Sequence, residues 1–147
     1  TTTEGTVTNN ISTAINDGTK NFTVGSYTIT YSATDTAGLT GTNTRTINVV
    51  DTTPPTITSG VTGVDLTENT AAGQTIYSIT YSAVANEVVT LSISGTDAPL
   101  LNLAAGVVTL IDVPVYATKS SYSFDVIASD EYDNTSSITV TFSIIEE

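Results

Sequence analysis

The chain has 147 residues, a formal net charge of −12, and neither cysteine nor histidine. Such an acidic surface repels phosphate backbones and anionic lipids, so we expect neither nucleic-acid binding nor membrane insertion. The missing residue types exclude imidazole and thiolate groups, both as nucleophiles and as metal ligands, and they exclude disulfides. No apolar run reaches the roughly 18 residues of a membrane-spanning helix.

Threonine and serine together account for 47 of the residues. Threonine favours strands, because its β-branched side chain suits a pleated, half-exposed surface. The chain also has no tryptophan or methionine and few runs of helix-forming residues. The composition therefore predicts an all-β fold.

The first third of the chain predicts one β-hairpin. Residues 1–24 are polar with scattered apolar positions, and they give no clear strand. From residue 25 apolar residues alternate with Thr and Ser, the pattern of a half-buried strand. A turn with two glycines follows over 35–41, and a second strand over 45–50. The side chains expected to face a core are Tyr27, Ile29, Tyr31, Ala33, Ile47 and Val49.

A proline pair marks the boundary between two domains. Pro54 and Pro55 fix the backbone φ angle and cannot donate to a β-ladder, so this segment should be an extended, stiff hinge. We predict domains at residues 1–53 and 54–147.

The second domain shows about seven short strands separated by turn residues, which is typical of a β-sandwich. A short helical turn is expected at 66–72 or 115–120. The predicted strands are 56–58 with 64–66, then 74–81, 88–94, 100–103, 107–110, 121–129 and 137–145.

A repeat links the two domains. The stretch from Tyr27 to Val50 recurs without a gap from Tyr122 to Ile145, an offset of 95 (122 − 27). That offset is about the length of one β-sandwich domain. The repeat predicts the closing strands of two consecutive sandwiches.

Several segments of the second domain resemble bacterial cadherin-like repeats, chiefly 66–70 (LTENT), 89–97 (VTLSISGTD) and 122–130 (YSFDVIASD). The first domain, with GSYTITYSATD at 25–35, is similar to the later part of Ig-like repeats of bacterial surface proteins. The resemblance implies tandem Ig-like and cadherin-like sandwiches, the first incomplete. Either the sequence begins partway through a longer protein, or a neighbouring chain supplies the missing strands.

The resemblance also implies calcium ligands, of which this chain keeps few. Glu68 and Asp130 match acidic positions of the family, whereas Ala83, Ala85 and the segment 115–117 replace its other carboxylates. Calcium takes six to eight oxygen ligands. The resemblance therefore implies a degenerate site at Glu68 and Asp130, with no cofactor or weak calcium binding.

A second interpretation of Asp130 needs no ion. Asp130 and Asp35 both follow a predicted strand, where an aspartate can cap the turn through hydrogen bonds to later backbone amides. We prefer this interpretation. Asp112, Asp133 and Asn134 are candidate substitute ligands, although their spacing gives no independent support.

The sequence predicts no enzyme activity. A glycosidase needs two carboxylates across a cleft, and nothing here builds one. We predict an extracellular stalk or adhesin segment at a cell or virion surface, joined to neighbouring domains, copies of itself, a surface protein or a glycan. The alternative is a filament or virion-fibre subunit assembled by strand exchange. Tyr116 and Tyr132 are the predicted exposed aromatic residues.

Overall fold

The protein is built from β-strands and divides into two compact units. A computed structural model describes residues 6–9 and 24–147, and the units are Thr1–Asp51 and Thr52–Glu147. In these residues the regular structure is strand, apart from one turn of 3₁₀ helix at Ala98–Leu100. No helix among them has the length and apolar character needed to cross a membrane. The all-β prediction is confirmed.

The first unit contains an antiparallel sheet in the order β1-β2-β3, with β1 at Thr6–Asn9, β2 at Gly25–Thr34 and β3 at Thr40–Val49. β1 lies in the stretch for which no strand was predicted. β3 begins before the predicted residue 45, because pairing with β2 continues as far as Thr34 opposite Thr40. Among the described residues, no strand forms a second layer over this sheet.

The predicted inward face of this sheet is only partly buried. Ile29 is 6% exposed, whereas Tyr27 and Tyr31 are half-buried. Ala33 is exposed, contrary to the prediction. Most of β3 is also exposed, with only its last apolar positions half-buried.

The second unit is a two-layer sandwich of nine strands. A four-stranded sheet in the order β5-β12-β11-β8 faces a three-stranded sheet in the order β6-β10-β9, and β4 pairs with β7 beside them. The strands are β4 Thr56–Ile57, β5 Leu66–Thr67, β6 Thr75–Ser78, β7 Tyr81–Ser82, β8 Thr90–Ser94, β9 Leu101–Ala104, β10 Val107–Leu110, β11 Ser121–Ser129 and β12 Thr135–Ile145.

Strict alternation along β11 and β12 builds the core of the second unit. Every second residue of β11 from Tyr122 to Ala128 is buried, as the period of two requires. The ring of Tyr122 stacks on that of Phe142 with centroids 4.7 Å apart, and Tyr77 meets Phe124 edge-to-face at 6.1 Å. The opposite sheet contributes Ile76 and other fully buried side chains to the same cluster.

A single helical turn forms within the predicted 115–120, where the carbonyl of Val115 accepts the N–H groups of Thr118 and Lys119 at 3.1 and 3.0 Å. The turn of 3₁₀ helix lies elsewhere than predicted. It follows Asp97, and proline in its first turn supplies the φ angle that a helix start requires. The buried Asp97 forms an ion pair with Lys119 at 3.0 Å and accepts the Ser123 N–H at 2.8 Å. These bonds fix the turn to β11.

Candidate functional site

The two hairpins related by the repeat have the same register. Tyr27 lies opposite Ile47 in the first, and Tyr122 opposite Phe142 in the second. Both ladders end at equivalent pairs, Thr34 with Thr40 and Ser129 with Thr135. The offset of 95 is thus a structural repeat, and it extends to the turns.

An aspartate closes each of these turns. Oδ1 of Asp35 accepts the N–H groups of Ala37 and Leu39, both at 2.9 Å. Oδ1 of Asp130 accepts the equivalent N–H groups, two and four residues on, both at 2.8 Å. A positive φ angle occurs at the same place in each turn, at Gly38 and at Asp133. The predicted capping role of Asp35 and Asp130 is confirmed.

The carboxylate of Asp130 accepts one more hydrogen bond than that of Asp35. It is buried, and its Oδ2 also accepts the Asn134 side-chain amide at 2.8 Å. Burial raises the pKa of the Asp130 carboxyl, but hydrogen bonds from the Asn134 side chain and from the Asn134 and Tyr132 amides outweigh it. The pKa of Asp130 therefore lies below its ordinary value, because these bonds favour the charged form.

Replacing Asp130 by asparagine should lower stability in a pH-dependent way. A carboxyl with a lowered folded-state pKa stabilises the fold above its unfolded pKa, and that contribution is lost as pH falls through the folded value. We expect Asp130→Asn to lower the urea midpoint at pH 7. The difference in midpoint between parent and variant should become smaller as the pH falls below 3.8, the ordinary pKa of an aspartate. Glu131→Gln, which removes one charge from the same turn, is the control. A midpoint difference that does not change with pH would contradict the lowered pKa of Asp130.

The structure does not bring the two predicted calcium ligands together. Asp130 lies just before β12 begins, whereas the Glu68 N–H donates to the carbonyl of Ile145 at the end of that strand. β12 has 11 residues and spans roughly 35 Å at the usual rise per residue. Glu68 and Asp130 therefore occupy opposite ends of the sandwich and cannot share one ion.

Glu68 lies at the end of the second unit where β12 finishes. Its two carboxylate oxygens accept the N–H groups of Tyr116 and Glu147, each at 3.2 Å. Nearby, the Asn69 N–H donates to the carbonyl of Pro114, two residues beyond Asp112. Residues 115–117 beside Glu68 contain no carboxylate.

Asp130 has an acidic neighbour that the sequence analysis missed. Carboxylate oxygens of Glu87 and Asp130 lie within 4.8 Å of one another. Glu87 also accepts the Val84 N–H at 3.0 Å. Ala83 and Ala85 lie on the same loop without an ionisable group. Glu87, two residues after Ala85, was the feature of the sequence that could have indicated this acidic neighbour.

Two surface depressions among the described residues, one in each unit, are lined without a carboxylate. In the second unit one of about 440 Å³ is lined by Ile79, Tyr81, Val89, Leu91, Leu103, Ala105 and Gly106. That lining is apolar except for Tyr81, and it contains no carboxylate. Tyr116 and Tyr132 are exposed as predicted, and Tyr81, 43% exposed, joins them.

No protein-family profile and no curated protein sequence matches the chain. Solved cadherin structures do match its fold. Cadherin domains 1–4 of protocadherin Gamma B7 are 22% identical, with a TM-score of 0.58, over 83% of this chain and 32% of that one. Mouse cadherin-23 EC22–24 is 17% identical (TM-score 0.54, 83% and 43%), and Drosophila N-cadherin EC1–3 is 20% identical (0.55, 86% and 45%).

These likenesses show a cadherin-type β-sandwich fold. The chain spans less than half the length of each of these solved chains. The bacterial origin and the Ig-like character of the first unit stay predictions.

Proposed function

We propose that the chain is a non-enzymatic, extracellular spacer segment of a surface stalk or adhesin. The observation that supports this most directly is the structural repeat, in which two consecutive units close with the same hairpin and the same aspartate-capped turn. Repetition of one closing motif is typical of modules joined in series. The resemblance of the fold to extracellular cadherin domains agrees with this role.

The surface and the linker suit a spacer. The net charge of −12 disfavours self-association through like-charge repulsion. Of the two predicted hinge residues, Pro54 is exposed and Pro55 is fully buried. A stiff linker would limit bending between successive modules.

Surface labelling tests this proposal. Antibodies raised against the purified chain should label intact source cells or particles, because an extracellular spacer is accessible from outside. Labelling seen only after the envelope is permeabilised would contradict the proposal. An antibody against a cytoplasmic protein of the same source is the control for intactness.

A second candidate function, assembly by strand exchange, rests on the outer edge of β3. In the second unit the outer edge of β12 pairs with β5. No described strand pairs with the equivalent edge of β3. An edge of this length is a template for another strand wherever it stays uncovered.

Sedimentation distinguishes the two candidates. A spacer should stay monomeric as concentration rises, whereas an edge-assembling subunit should polymerise. Thr44→Lys places a charge in the middle of β3 and should abolish any such polymerisation. Thr109→Lys, in β10 of the second unit, is the control. Polymers that form equally well in both variants would exclude the edge of β3.

Weak calcium binding at Glu87 and Asp130 belongs to the same proposal. Two carboxylates are fewer than a high-affinity site uses, so we expect a dissociation constant of about 1 mM, as in extracellular modules. At a calcium concentration ten times this dissociation constant, binding should stabilise the fold by about 1.4 kcal/mol. Calcium should therefore raise the melting temperature of the parent chain. Glu87→Gln should abolish the rise and Glu68→Gln should keep it. No rise in the parent would remove calcium from the proposal.

A further inference from the structure

The beginning and the end of the second unit run side by side in the same direction. Residues 61–68, here called the clamp segment, lie along β12 in parallel, with Leu66 opposite Ile144. The Thr141 N–H donates to the carbonyl of Val61 at 3.1 Å, and the Gly63 N–H donates to the carbonyl of Thr141 at 2.8 Å. At the far end the Glu68 N–H donates to Ile145, as described above.

A carboxylate completes the hydrogen-bond ladder at a register shift between the clamp segment and β12. From Thr62 to Leu66 the clamp segment advances four residues, while β12 advances three, from Thr141 to Ile144. The backbone carbonyls therefore miss the Ser143 N–H, and Oδ1 of Asp65 accepts it at 2.7 Å. Charge-assisted bonds of this kind are stronger than neutral ones.

The direction of the two strands decides how they respond to force. Tension that enters at residue 52 pulls the clamp segment towards its start, and tension that leaves at residue 147 pulls β12 towards its end. Because the strands are parallel, these pulls slide one strand past the other. All bonds between them are then stretched together, whereas peeling from one end would break them one by one.

We propose that the clamp segment and β12 form a mechanical clamp through which the second unit bears tension, with Asp65 closing its hydrogen-bond ladder. The proposal rests on the spacer function, since only a chain pulled at both ends uses such a clamp. β4 and β7 pair through two residues each, so they should separate first.

Single-molecule pulling on the full chain tests the clamp. The chain has no cysteine, so introduced cysteines give unique attachment points. Handles at Thr52→Cys and Glu147→Cys load the clamp in shear, whereas handles at Thr52→Cys and Glu131→Cys pull both strands from the same end. We expect the second unit to rupture at a several-fold higher force in the first geometry. Equal forces would overturn the proposal.

Two matched variants then test which hydrogen bond resists the applied force. Asp65→Ala removes the acceptor of the Ser143 N–H, and Asp125→Ala removes the acceptor of the Thr139 hydroxyl (2.6 Å) within the same sheet. Both should lower the urea midpoint, but only Asp65→Ala should lower the shear rupture force. Equal losses of force would overturn the role of Asp65. Pulling uses the purified chain, so its failure leaves surface labelling unaffected, and failed labelling leaves the rupture force unchanged.

Discussion

Replacing Phe124 by alanine is expected to lower the unfolding free energy of the second unit by about 3–5 kcal/mol, the usual cost of truncating a buried phenylalanine. Phe124 is 1% exposed, and it contacts the ring of Tyr77 edge-to-face. Its removal leaves a cavity between the two sheets, which the surrounding strands cannot fill without breaking their pairing. Urea unfolding followed by circular dichroism measures the loss.

The repeat supplies the matched control. Ile29 stands at the position of the first unit that is equivalent to Phe124 (124 − 29 = 95), and it is also buried. Because the two units are separately compact, Ile29→Ala should leave the unfolding transition of the second unit in place. A shift of that transition as large as the one caused by Phe124→Ala would contradict the division of the chain.

The long strands could be predicted from sequence because their signal is local. In β11 the alternation from Tyr122 to Ala128 predicts which side chains face the core. In β2 the same period of two begins at Tyr27. The capped turns were predictable for the same reason, since Asp35 and Asp130 bond only to amides two and four residues away. Local geometry determines these features.

The remaining features depend on contacts between distant parts of the chain. β1 has only four residues, TVTN, too few for an alternation to show, and it pairs with β2 more than 20 residues further along the chain. Glu87 and Asp130 meet although 43 residues separate them (130 − 87). Matching motifs along the chain placed Glu68 with Asp130, since a linear match carries no information about which end of the sandwich a loop occupies.

Gly63→Ala is expected to destabilise the second unit by about 1–3 kcal/mol, the cost of adding a methylene to a packed site. A Cβ at this position would lie 3.0 Å from the carbonyl oxygen of Ile76 and 3.2 Å from the Cβ of Phe142. Gly63 and its neighbour Val64 bond to opposite sheets, through Thr141 and Ile76 respectively. Relief of the clash must therefore displace the clamp segment from one sheet or the other.

Gly60→Ala, three residues earlier, isolates this effect. A Cβ at Gly60 meets nothing within 4 Å, so the substitution should be neutral or stabilise by up to about 1 kcal/mol through the unfolded state. Urea midpoints of the two variants give the comparison. If Gly63→Ala also lowers the shear rupture force and Gly60→Ala does not, close contact between the clamp segment and β12 is what resists tension. Equal midpoints would show that the clamp segment tolerates displacement, and a segment that moves freely cannot hold β12.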